Sequence, residues 1–316
     1  MSPCKLFSNS ATAAIIERYR VLSFWPDFFS DPRSMLWLFR FFSYWPLAAL
    51  QALGGMLGWL VWALSPRYRA NFRAQVAQAG LPFEAARPAI AETGRFVGEL
   101  PKLWMRRRSQ SCLGSIRVTG QLHAEQAFAR GRGVIFFGPH CGSFELGPQA
   151  LAELYGPIAA IYRPARKAWL ARLESMARDR RNLTVLPASL SGIRLMHKTL
   201  KANHAVALLT DQVPPEGMGL WAPFFGRPAY TMTLAARLAL QTGAALLPVS
   251  CERLPCGRGY FLKIWPAVAI MGTREKPDLL QAVTRMNQAI EAIVLSQPGQ
   301  YLWGYARFKS PRKEAV

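Results

Sequence analysis

The 316-residue sequence predicts an α/β fold, with a mostly parallel central sheet flanked by helices and an N-terminal membrane-associated helix ahead of it. Three observations predict it. From about Ser115 onward, short β-rich runs alternate with amphipathic segments, the rhythm of βαβ units. In front of them stands a stretch, residues 41–65, with no charged side chain. The length supplies ample material for one large core or two small ones. The expected organisation is a membrane-associated helical region over 1–114, an α/β domain over 115–309 and a short loose tail over 310–316.

Within residues 41–65, about 20 helical residues rising ~1.5 Å each match a ~30 Å hydrocarbon layer. Trp45, Trp59 and Trp62 fall near the ends, where interfacial aromatics gather. The stretch starts too late for a cleavable signal. It reads as a single span or a deep interfacial insertion; a buried or interfacial helix, helped by Pro46 and the Gly54, Gly55 and Gly58 cluster, is the other reading. Arg33 and Arg40 precede it and Arg67, Arg69 and Arg73 follow, a slight excess that puts the body of the chain in the cytoplasm. Residues 66–80 then read as a basic amphipathic helix stopping at Gly80, and 83–108 as another ending in Arg106-Arg107-Arg108. Arginines beside aromatics suit a headgroup layer, and a solvated helix end explains the triplet equally well.

In the body, strands are expected over 116–119, 133–137, 158–162, 183–186, 205–209, 245–250 and 260–265. Helices are expected over 144–155, 167–181, 189–201, 230–241 and 278–296. Sites in such folds gather at the carboxyl ends of strands. His140 and Asp211 lie just past a strand, and Arg163 ends one. No G-x-x-x-x-G-K phosphate loop and no G-x-S-x-G elbow occurs.

The charge is lopsided: 39 Lys and Arg against 18 Asp and Glu give +21, which favours anionic partners. Hydrophobic content of 51%, with ten Trp and eighteen Phe, argues against a nucleic-acid arm and for a membrane surface. Cys4, Cys112, Cys141, Cys251 and Cys256 form no C-x-x-C, and their odd count suggests reduced thiols on the cytoplasmic side. Four scattered His give no metal pattern, so neither a metal nor another cofactor is expected.

The most informative segment is Gly138-Pro139-His140-Cys141-Gly142-Ser143-Phe144-Glu145, an H-x4-E spacing after an apolar strand. His140 is expected to end the turn and Glu145 to lie in the first helical turn beyond it. The carboxylate then reaches one imidazole nitrogen and leaves the other to take a proton from a hydroxyl. Cys141 beside a His also admits a covalent acyl-thiol route. Further blocks follow. Ile161-Tyr162-Arg163-Pro164 ends a strand, and Ala177-Arg178-Asp179-Arg180-Arg181 gathers cations that favour a helix C-terminus or bind a phosphate. Thr210-Asp211-Gln212 delivers a carboxylate from a strand or is a plain turn ahead of Pro214-Pro215. Phe224-Phe225-Gly226-Arg227-Pro228 forms a rigid turn before a Thr-rich helix start at Tyr230, and Trp303-Gly304-Tyr305-Ala306-Arg307-Phe308-Lys309 closes the chain.

In order and content these blocks resemble the bacterial lipid A biosynthesis acyltransferases of the late, lauroyl/myristoyl type, within the H-x4-D/E glycerolipid acyltransferase superfamily. The resemblance covers nearly the whole chain. It implies that His140 and Glu145 are the catalytic pair and that Arg163, Arg178 and Asp211 serve substrate binding. It also implies an inner-membrane enzyme facing the cytoplasm. Such an enzyme moves a fatty acyl chain from an acyl carrier protein or CoA thioester to a hydroxyl of a lipid A precursor. Two departures stand out: Cys141-Gly142-Ser143 is smaller than the family's usual trio, and Tyr305 stands where the closing block usually carries His. The rival readings are an acyltransferase acting on another phospholipid or glycolipid, and a non-catalytic basic protein that docks on membranes.

Overall fold

The computed structural model describes residues 32–162, 165, 167–270 and 278–312. Among the described residues five helices come first: α1 (Pro32–Ser43), α2 (Leu47–Leu64), α3 (Pro66–Gln78), α4 (Phe83–Ala86) and α5 (Ala89–Trp104). The body then alternates β1 (Ile116–Thr119), α6 (Gln121–Phe128), β2 (Val134–Gly138), α7 (Gly147–Tyr155), β3 (Ile158–Tyr162), α8 (Ala168–Arg178), β4 (Leu183–Pro187), α9 (Leu190–Lys201) and β5 (Ala205–Leu209). After β6 (Gly219–Phe224) and β7 (Arg227–Met232) come α10 (Leu234–Thr242), β8 (Ala245–Arg253), β9 (Tyr260–Ile264) and α11 (Leu279–Ser296).

Seven strands form one sheet in the order β1-β9-β8-β2-β5-β3-β4. Its neighbours run parallel except β8 against β9. The expected mostly parallel sheet is present, and each of its seven expected strands forms. All five residues of β2 are buried, as a strand covered on both faces requires. Its side chains alternate between two core layers. Phe136 joins Phe96, Leu100 and Leu262 on one side; Ile135 and Phe137 join Met196, Leu238 and Met286 on the other.

Several expected boundaries move for local reasons. Ser189 and Asp278 sit at N-caps, their side chains accepting from the backbone N–H of Gly192 and Gln281. The helix expected over 83–108 is two helices, α4 and α5, separated near Pro88. Helix α7 begins at Gly147, so Phe144 and Glu145 lie in a turn before it. The helix expected over 230–241 is the largest correction. Residues 230–232 belong to β7, which pairs antiparallel with β6, and α10 starts only at Leu234. Phe225 (φ 47°) and Gly226 (φ 72°) make the tight left-handed turn that closes this ribbon. Pro223 and Pro228 conceal it from a strand reading, because proline is confined to edges, and this two-stranded ribbon consists of edges alone.

Candidate active site

Strands β2 and β5 are neighbours in a register that pairs Gly138 with Leu209. Residues two steps beyond each partner are therefore level, which sets His140 beside Asp211 at the carboxyl edge of the sheet. The backbone N–H of His140 donates to Asp211 Oδ2 at 3.0 Å, and Nδ1 lies 2.6 Å from Oδ1. Donation from Nδ1–H to a carboxylate leaves Nε2 as the acceptor. The side-chain amide nitrogen of Gln212 stands 3.2 Å from Nε2. The Phe144 ring meets the imidazole edge-on at 4.7 Å and itself stacks on Phe96 at 4.3 Å. The imidazole is thus fixed by one carboxylate and one aromatic face.

Asp211 is buried, and burial opposes its ionisation. The charge and hydrogen bonds of His140 outweigh that penalty, with Arg307 acting in the same direction, and hold the carboxyl below its ordinary 3.8. A carboxyl held down in this way stabilises the fold fully above about pH 4. That contribution is lost as pH falls through the folded value, since the unfolded chain then takes up the proton first.

Glu145 is placed differently from the expectation. Its carboxylate accepts from Arg178 Nη2 at 2.6 Å, and Asp211 occupies the imidazole nitrogen that Glu145 was expected to reach. The reason is the turn: Glu145 precedes α7 and faces the C-terminus of α8, whereas Asp211 arrives from the adjacent strand. Arg178 Nη1 also lies 3.5 Å from Glu174, and its guanidinium sits 5.1 Å over the Tyr162 ring. Burial works against the charge of Arg178, and Glu145 and Glu174 more than compensate, raising its pKa. Arg163 lies outside the described residues.

Of the neighbouring cations, Arg180 donates to the carbonyls of Leu103, Trp104 and Arg106 and so caps α5. Arg181 is exposed and, with Arg108, Arg178 and Tyr162, lines a cavity of about 610 Å³. Cys141 is buried, and burial pushes its thiol well above the ordinary value, which disfavours the thiolate that a covalent acyl-thiol route needs.

The small trio after His140 has a physical cause. Gly142 has φ 60°, and a Cβ there would lie 2.1 Å from the Cys251 carbonyl oxygen. Beneath the turn is a buried network that sequence reasoning missed. Arg253 donates to Gly142 O (2.6 Å), Glu99 Oε2 (2.9 Å) and Glu92 Oε2 (2.9 Å), and Ser143 Oγ donates to Glu99 Oε1 (2.7 Å). The available signal was Glu99 itself, a carboxylate inside the apolar segment from Phe96 to Leu100. Removing one partner of a buried pair strands the other. Glu99→Ala is therefore expected to lower unfolding free energy by about 3–5 kcal/mol, read by denaturant titration. In the closing block, Tyr305 accepts the Val213 N–H at 2.9 Å, and Arg307 ties the C-terminal segment to Tyr230 O and Thr231 Oγ1.

A mostly parallel α/β sheet carrying an imidazole locked by a buried carboxylate at its carboxyl edge is an arrangement suited to taking a proton from a hydroxyl or water. The family model for bacterial lipid A biosynthesis acyltransferases matches residues 36–310. The chain belongs to that family and is an acyltransferase. The lipid A biosynthesis lauroyltransferase of Escherichia coli (strain K12) is 29% identical over 238 residues, covering 74% of this chain and 72% of the relative. The palmitoleoyltransferase of the same strain is 31% identical over 194 residues, 61% of each. A phosphatidylinositol mannoside acyltransferase of Mycobacterium tuberculosis (strain ATCC 25618 / H37Rv) is 30% identical over 157 residues, 48% of each.

Proposed function

We propose that the chain transfers a fatty acyl group from an acyl carrier protein thioester, or from CoA, to a hydroxyl of a lipid A precursor. The reaction takes place at the cytoplasmic face of the inner membrane. The observation that carries this reading is the 2.6 Å contact of His140 Nδ1 with Asp211, which leaves Nε2 as a base. The acceptor hydroxyl takes the place of the Gln212 amide at Nε2. As its oxygen attacks the thioester carbonyl, the proton passes to Nε2 and Asp211 stabilises the imidazolium. Collapse of the tetrahedral adduct breaks the C–S bond, and the imidazolium returns the proton to the departing thiolate. General-base help of this kind is worth about 10²–10⁴-fold. The reaction needs neither metal nor redox cofactor.

The other predicted residues support the acceptor. Glu145 holds Arg178 at the cavity that Arg108 and Arg181 also line, a setting suited to the phosphate of a glucosamine phosphate. We assign Arg163 to the same anion on the strength of the family resemblance. A net charge of +21 draws both an acidic carrier protein and an anionic lipid surface. A second reading, another phospholipid or glycolipid as acceptor, is favoured by the 30% identity to the phosphatidylinositol mannoside acyltransferase. The test is mass spectrometry of products from purified protein offered a lipid A precursor, phospholipids and mixed thioesters. The expected result is one added acyl chain on the lipid A precursor, absent with His140→Ala. Acylation of the phospholipids alone would move the enzyme to the second reading, and equal product from His140→Ala would remove the catalytic assignment.

A further inference from the structure

We infer that α1 and α2 dock in the plane of one leaflet of an anionic bilayer and that α2 does not cross it. The inference rests on the membrane reading above and decides between span and interfacial insertion. Helix α2 is the one described helix long and apolar enough to cross a membrane, with 28% of its residues buried. The inward face of α2 is Leu50, Gln51, Gly54, Gly55 and Gly58. There it runs antiparallel to α5 with backbone against backbone. A Cβ on Gly54 would lie 2.4 Å from Gly94 O, on Gly58 2.3 Å from Ile90 O, and on Gly98 2.5 Å from Leu50 O.

Helix α5 is itself part of the body. Phe96, Leu100 and Trp104 are buried in the core, and Glu99 is fully buried against Arg253 and Ser143. Gln51 of α2 donates to that same Glu99 carboxylate at 3.3 Å. If α2 crossed the hydrocarbon, α5 and its ion network would have to enter with it, and ionised groups at that depth are strongly disfavoured.

The outward face fits lipid. Ala48, Ala52, Met56, Trp59, Leu60 and Ala63 are exposed at helical spacing, with Met56 64% and Leu60 50% accessible. Helix α1 and the turn after it add Trp37, Phe41, Tyr44 and Trp45. Residues 32–83 contain five Arg and no Asp or Glu, which complements anionic headgroups. Both ends of α2 are tied to cations of the same folded body. At one end Arg69 donates to the carbonyls of Trp62 and Ala63, while Arg87 lies 5.5 Å over Trp59. At the other end Lys102 donates to the carbonyl of Trp45 at 2.9 Å. A spanning helix puts its ends at opposite interfaces, whereas a helix lying in the plane, with one face on protein and the other on lipid, keeps both at one.

The test uses the full chain with Cys4 and Cys256 changed to Ser, and Tyr44→Cys or Leu64→Cys added singly. A membrane-impermeant maleimide is applied to spheroplasts and to inside-out inner-membrane vesicles from the producing bacterium. Labelling of both positions from the cytoplasmic side, and of neither from the other, is expected. Labelling from opposite sides overturns the inference while leaving the membrane reading intact. In parallel, Met56→Glu/Leu60→Glu is expected to lower partition into phosphatidylethanolamine/phosphatidylglycerol vesicles at least tenfold with an unchanged unfolding midpoint. Partition equal to wild type overturns the in-plane face, and a wild-type chain that does not bind these vesicles overturns the membrane reading as well.

Discussion

Asp211→Asn is expected to lower kcat by about 10²–10⁴-fold with little change in the KM of the acyl acceptor. His140 presents two donors to Asp211, its backbone N–H and Nδ1–H, and the carboxylate answers with two oxygens. An amide offers one oxygen and one NH2, so in either orientation one donor faces another donor. The imidazole then loses its tautomer or its position, and the imidazolium loses its counter-charge. Glu145→Gln is expected to behave otherwise. It leaves both contacts of the imidazole with Asp211 intact and weakens the hold on Arg178, which keeps Glu174 nearby. Its kcat loss is expected to be at least tenfold smaller and its KM effect larger. Steady-state kinetics on the two variants separate these roles, and a larger kcat loss for Glu145→Gln would reverse them.

The second large effect is on stability. A Cβ at Gly94 would lie 2.0 Å from Gly54 O and 2.7 Å from Gly58 N, both backbone atoms of α2. No rotamer change relieves such a contact. Gly94→Val is therefore expected to cost about 3 kcal/mol or more, the upper end of overpacking or beyond it. Gly114→Val, where an added Cβ meets nothing within 4 Å, serves as the control and is expected to be near neutral. Chemical denaturation in detergent measures both, and equal midpoints would mean that α2 is not seated on α5.

Much of this was legible in the sequence, because the sheet's strands are continuous apolar runs set off by amphipathic helices. The residues of the candidate site stand out in the sequence too, since His140, Asp211 and Arg178 each stand at the end of an element or just past it. Their pairing was not. The H-x4-E spacing suggests a local contact, but the partner of His140 comes from a strand 71 residues on, fixed by the Gly138–Leu209 register. Linear order carries no such register. The buried Glu99–Arg253 pair was hidden for the same reason, its partners standing 154 positions apart. The β6–β7 ribbon was missed because its prolines argue against a strand.

If His140 and Asp211 act as one unit, a kinetic double-mutant cycle shows it. It measures kcat/KM for His140→Ala, Asp211→Asn and the double variant. Asp211→Asn is expected to cost almost nothing further once His140 is alanine. Additive losses, with Asp211→Asn as damaging in the His140→Ala background as in wild type, would mean that the two residues act independently.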